Sequence, residues 1–239
     1  MGHTMFETFT ALLFAHVLAD FVFQTDWINA NKRKAPVLLL HALIVLITAQ
    51  LATGRYDAPE LLILAGAHLV IDAVKSRGGF RSLTAFGLDQ AAHILTILAI
   101  AAYAPTLWGT WPDATLPLMA LTGGLIIATR IGGFAIGLLM KPHSMRIRNN
   151  GLRGGGWTIG VLERGLVFLL ILAGLPLGVG FLIAAKSILR FGTASRDQRS
   201  AEYVIIGTLA SFGWAIIAAF ATQGLLTLLP PLEIAALNP

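Results

Sequence analysis

Three acid and histidine pairs recur at one spacing in the first half of the chain: His16 with Asp20, His68 with Asp72, and Asp89 with His93. Residues four apart on an α-helix share a face, with Cβ atoms about 5–6 Å apart. Each pair can therefore aim a carboxylate and an imidazole at one point. His41 supplies a further imidazole from a separate segment. This is chemistry for a cation or a proton. The chain contains no cysteine, so thiolate ligands, disulfides and cysteine nucleophiles are all excluded. Imidazole and carboxylate donors suit Zn²⁺, Mn²⁺ or Fe²⁺ and disfavour copper(I) or iron–sulfur centres. His16, Asp20, His41, His68, Asp72 and His93 are accordingly expected to hold a divalent metal ion, as one ion with an outer carboxylate or as two ions. Asp89 is the expected general base on bound water, with Gln24, Lys75 and Gln90 orienting a substrate.

The segments that must position these residues are apolar. The chain is 56% hydrophobic and 12% charged, with a mean hydropathy of +0.77, whereas soluble domains carry about 25% charged residues. Apolar stretches near 5–25, 36–53, 59–76, 87–108, 117–140, 157–174, 176–191 and 203–229 approach the length of about 20 residues that a transmembrane helix needs. They predict an all-α, polytopic transmembrane helix bundle of about eight spans in two four-helix halves. Residues 1–108 form the half with the His/Asp site, and 109–239 the half with a Glu/Arg/Lys network. The first stretch lacks a basic start and a small-residue cleavage site, so it is expected to be a retained helix. The tight break at Gly174–Gly178 would also allow 157–191 to be a hairpin or re-entrant pair. Ionisable side chains inside a membrane are costly unless paired or lining a wet cavity, which makes each a functional candidate.

Most of the 17 basic residues fall in alternate loops, the pattern of cytoplasmic loops. Both termini are then expected outside the cytoplasm, in a bacterial inner (plasma) membrane. On that topology His16, Asp20 and Gln24, then His41, then His68, Asp72 and Lys75, and then Asp89, Gln90 and His93 all reach the same cytoplasmic depth on four spans. The basic residues lie in short loops between apolar segments, so the net charge of +5 is a topology signal and nucleic acid is not an expected partner. Lys32, Arg33 and Lys34, like Lys75, Arg77 and Arg81, are explained by anchoring, although the second group could receive a lipid phosphate. In the second half, Glu163 and Glu202 are expected to pair with Lys186, Arg190 or Arg164, and the mid-span Arg130 with Glu163. Gly133 and Gly137 suggest close helix packing. The loop from Arg146 to Gly156 could cradle a phosphate but reads more simply as a cytoplasmic connection, since it carries no nucleotide fingerprint.

The stretches His-Val-Leu-Ala-Asp-Phe-Val-Phe-Gln (16–24), His41, His-Leu-Val-Ile-Asp-Ala-Val-Lys (68–75) and Asp-Gln-Ala-Ala-His (89–93) resemble a bacterial membrane family catalogued as domain of unknown function 3307. So do Gly-Val-Leu-Glu-Arg (160–164), Ala-Ala-Lys-Ser-Ile-Leu-Arg-Phe (184–191) and Glu-Tyr-Val-Ile-Ile-Gly-Thr (202–208), which extends the resemblance over nearly the whole chain. The family label implies no particular activity, so the resemblance supports the choice of residues rather than a function. The spread of His and Asp over several spans also resembles, more loosely, membrane-bound metal-dependent hydrolases. The expected function is a membrane-embedded, metal-dependent hydrolase with a cytoplasm-facing site, whose partners are the lipid bilayer and a lipid-like or phosphate-ester substrate. The alternatives are a proton- or cation-coupled transporter or channel, and a structural membrane subunit.

Overall fold

The computed structural model describes residues 5–79, 82–109, 111–143, 152, 154–191 and 198–232. Arg81, Arg146, Arg148, Arg153 and the side chain of Arg190 lie outside these residues, and with them the arginines of the 146–156 loop, which reads as a cytoplasmic connection, and the pairing of Arg190. The described residues are helical with short connections and no strand. Among the described residues, six helices are long and apolar enough to cross a membrane: Met5–Phe23, Ala35–Thr53, Leu83–Tyr103, Thr115–His143, Gly155–Leu172 and Ala201–Leu226.

The helix boundaries follow local chemistry. α1 (Met5–Leu18) continues into a π-helical turn, Ala19–Phe23, in which Asp20 sits. The short α2 (Asp26–Asn31) is capped by Thr25, whose hydroxyl accepts from the Ile28 N–H. α3 (Ala35–Thr53) opens with a proline in its first turn and stops at Gly54, whose φ of 71° is the left-handed conformation that closes a helix. α4 (Pro59–Gly78) repeats this pattern, with Pro59 at its start and Gly79 at φ 66°. α5 (Leu83–Tyr103) is capped by Ser82, which accepts from Ala85 N–H, and ends just before Pro105. Then follow α6 (Thr115–Ile126), a second π-helical turn at Ile127–Ile131, α7 (Gly132–Met140), α8 (Gly155–Leu172), α9 (Pro176–Phe191) and α10 (Gln198–Leu226).

The chain forms two compact units, Met1–Gly123 with Gly224–Pro239, and Gly124–Gln223. In the first, α1, α3, α4 and α5 close into a four-helix bundle in which α1 and α4 each pack between α3 and α5. α4 is 20 residues long and belongs to this bundle, but Glu60, Asp72, Lys75 and Arg77 make it too polar to count with the six. The apolar core of the unit, including Leu12, Ala49, Leu61, Leu64, Ile97 and Ile100, comes from the N-terminal parts of α1 and α4 and the C-terminal parts of α3 and α5. The opposite end of the same bundle holds the histidines and aspartates. The second unit has its own core, built on Ala128, Val167, Phe168, Phe212 and Ala215.

Candidate functional site

His16 and Asp20 come from the end of α1, His41 from the first half of α3, His68 and Asp72 from the second half of α4, and Asp89, Gln90 and His93 from the first half of α5. Successive helices run in opposite directions, so these positions meet at one level. All seven His and Asp side chains are buried, from His41 at 0% exposure to Asp20 at 9%. Their rings touch: His68 stacks on His93 at 4.0 Å between centroids, and His16 lies 5.0 Å from His93.

The tightest part is a triangle. Asp20 Oδ1, His41 Nε2 and His68 Nε2 are 3.2 Å from one another along all three sides. Asp72 Oδ2 stands beside it, 3.4 Å from His41 Nε2 and 3.5 Å from His68 Nε2. These five contacts share two ring nitrogens, each carrying at most one proton on that atom. Hydrogen bonding therefore satisfies only part of the arrangement. A cation inside the triangle satisfies every side at once, and the edge of a tetrahedral site with bonds of about 2.0–2.1 Å is about 3.3–3.4 Å.

Around this centre the charges are neutralised in an ordered way. Lys32, itself buried, places Nζ 2.6 Å from Asp72 Oδ2. Lys75 donates to Asp89 Oδ2, and Gln90 Nε2 donates to the same oxygen at 3.0 Å. With its amide so oriented, Gln90 turns Oε1 toward His16 Nε2 at 3.3 Å. That contact is a hydrogen bond only if His16 carries its proton on Nε2. The remaining ring atom, Nδ1, then bears a lone pair and points toward Asp20 Oδ1 at 3.9 Å. A neighbour that selects the tautomer and leaves one ring nitrogen free is how imidazole ligands are prepared.

Several buried polar atoms have no hydrogen-bond partner: His16 Nδ1, His41 Nδ1, Asp89 Oδ1, His93 Nε2 and Gln24 Oε1 among them. Gln24 follows the π-helical turn and is only half-buried. Lys75 marks the accessible side of the cluster, with 35% of its side chain exposed. A cavity of about 10 Å³ is lined by His16, His68 and His93 together with Leu12, Val45 and Leu64. It has room for about one water.

Lys32, which the sequence explains by anchoring alone, joins the cluster through its ion pair with Asp72. It shares a run with Arg33 and Lys34, but Arg33 instead donates to the Ser76 carbonyl at 3.0 Å. The only sequence signal was its place just after the first span.

The second unit pairs Lys186 with Glu163 at 2.6 Å, as expected. Arg130 is exposed and Glu163 is engaged by Lys186, so the expected pairing of these two residues is replaced. Arg164 is buried, donating to the Thr129 carbonyl from Nε at 3.1 Å and Nη2 at 2.8 Å and to Ser211 Oγ from Nη1 at 3.1 Å. Gly133 and Gly160 make room for its guanidinium, since a Cβ at either position would lie 2.9 Å from an Arg164 nitrogen. At Gly133 the small residue thus serves an arginine, and a Cβ at Gly137 would meet open space.

Residues 8–120 match the family model described as a protein of unknown function (DUF3307). The match marks this segment as a domain of unknown function, and it contains every His, Asp, Lys and Gln of the cluster. The resembling stretches at 160–164, 184–191 and 202–208 lie beyond it. No curated protein and no solved structure matches the chain.

Proposed function

We propose that this protein is a membrane-embedded, metal-dependent hydrolase acting on a lipid-like or phosphate-ester substrate, with a divalent cation held by Asp20, His41 and His68. The observation that carries the reading is the 3.2 Å triangle of their ligand atoms, whose sides suit a metal ion and exceed what the available protons can bridge. A divalent ion there supplies Lewis acidity, polarising a substrate oxygen and lowering the pKa of water toward neutrality. Asp72 flanks the triangle and Lys32 restrains it. His16, fixed by Gln90, offers Nδ1 as a further donor. Lys75, on the accessible side, is the first cation that an incoming anionic group meets.

The same reading places α4 and α9 across the bilayer with the six more apolar helices, making eight spans. α4 supports this directly, because it packs as a full member of the bundle between α3 and α5. The His/Asp end then faces the cytoplasm and both termini lie outside.

The run of close imidazoles, His41 to His68 to His93 to His16, favours a proton or cation relay as a second reading. Against a through-pathway stands the apolar core that fills the other end of the bundle. The test is elemental analysis of the detergent-purified chain beside His41→Ala and His68→Gln, with hydrolysis of phosphate esters in mixed micelles followed in parallel. The hydrolase reading expects a near-stoichiometric transition metal in the parent, its loss in both variants, and chelator-sensitive turnover. A parent that takes up no metal after reconstitution sinks it and leaves the relay.

A further inference from the structure

Once Asp20, His41 and His68 are committed to one ion, a second group of donors remains complete. Asp72, Asp89 and His93 each bring one ligand atom to within 4.8 Å of the other two, and they share no residue with the first triad. A tetrahedral ion takes four ligands, so one ion cannot engage all seven His and Asp side chains.

The second group also shows what it lacks. Asp89 and His93 are 6% and 2% exposed, and Asp89 Oδ1 and His93 Nε2 are buried without a hydrogen-bond partner. These two atoms face each other at 3.7 Å, too far for a hydrogen bond. Burying a carboxylate oxygen and a ring nitrogen unpartnered costs free energy. It is not for want of donors nearby, since Lys75 and Gln90 both serve the other oxygen, Oδ2, of the same carboxylate. The arrangement leaves Oδ1 and Nε2 free together, on the two residues that group with Asp72.

From this geometry we infer that Asp72, Asp89 and His93 bind a second divalent cation, making a two-ion centre in which Asp72 stands between the ions. The inference rests on the metal reading proposed above and deepens it. Asp72 Oδ2 already lies 3.4 and 3.5 Å from the two imidazole nitrogens of the first triad, which suits a carboxylate that spans both ions. The donor sets differ: two imidazoles and one carboxylate in the first, one imidazole and two carboxylates in the second. The second is the harder site and selects Mn²⁺, Mg²⁺ or Fe²⁺ over softer ions. Asp89 becomes a ligand in place of the general base read from the sequence. Two dications with the ammonium groups of Lys32 and Lys75 outweigh three carboxylates, so the occupied centre attracts a phosphate group in preference to a neutral ester.

The test uses the full chain in detergent, stripped with chelator, loaded with Mn²⁺ and freed of excess by gel filtration. Manganese is counted by elemental analysis, and electron paramagnetic resonance reports whether the ions are coupled. The expected result is two Mn²⁺ per chain with an exchange-coupled spectrum. Asp89→Asn and His93→Gln are each expected to retain one ion with the spectrum of isolated Mn²⁺. One ion per chain in the parent, unchanged in both variants, overturns the second site and leaves the first standing. No bound ion in the parent overturns both. The count in the parent decides the matter even where a variant aggregates.

Discussion

Asp72 is buried to 1% exposure, and the ammonium of Lys32 at 2.6 Å offsets its charge. Removing one partner of a buried ion pair costs about 3–5 kcal/mol, because the other is left uncompensated. That ammonium is also a competitor, since it holds an oxygen that lies beside the proposed ion. Lys32→Met is therefore expected to lower the thermal midpoint of the metal-free protein by several degrees, and added Mn²⁺ or Zn²⁺ should restore most of the loss by binding the folded state. Equal destabilisation with and without metal, measured by unfolding in detergent, would count against an ion at Asp72. At this scale the histidines and aspartates were legible, because spacing of four on apolar segments leaves few other uses for them. The position of Lys32 was not. A run of three cations after a span reads as anchoring, and only the place of Lys32 at the end of α2, within reach of Asp72 on α4, turns the first of them inward.

The elements deliver these side chains through caps and stops that were mostly legible. The prolines that open α3 and α4 and the glycines that close them mark their own positions, because proline tolerates the first helical turn and glycine the left-handed stop. The π-helical turn holding Asp20 has no residue signature. Such turns recur at functional sites because they re-aim a side chain within a continuous helix, and nothing in a run of apolar residues announces one. The short α2 was hidden for a similar reason, being too brief for a periodic pattern. If the caps only set the frame, altering one should cost stability without changing the ligands. Ser82→Ala removes the acceptor for the Ala85 N–H and is expected to cost about 1 kcal/mol. Gly54→Ala, at φ 71°, is expected to cost roughly 1–2 kcal/mol. Both variants should keep the parent's metal content. A loss of metal in either, at a temperature where the protein remains folded, would show that the helix ends tune the site itself.

For the molecule as a whole, the deciding feature is the uneven placement of polarity along the bundle of the first unit. One end collects Lys32, Lys75 and the His/Asp cluster, and the other is filled by Leu12, Leu61, Ile97 and their neighbours. Basic residues near span ends remain on the cytoplasmic side of a membrane, so the end bearing Lys32–Lys34 and Lys75 should face the cytoplasm. The α3–α4 turn, with Arg55 alone among its residues as a cation, should lie outside. The chain has no cysteine, so single cysteines can report this without background. Ala35→Cys and Asp57→Cys are both at exposed positions, at opposite ends of α3. In intact cells an impermeant maleimide is expected to label Asp57→Cys, and to reach Ala35→Cys only after the membrane is opened. The reverse pattern would put the His/Asp end outside and remove cytoplasmic phosphate esters as substrates. Labelling of both sites in sealed cells would mean that α3 does not cross at all, and the shared depth of the cluster would then need a reason other than the bilayer.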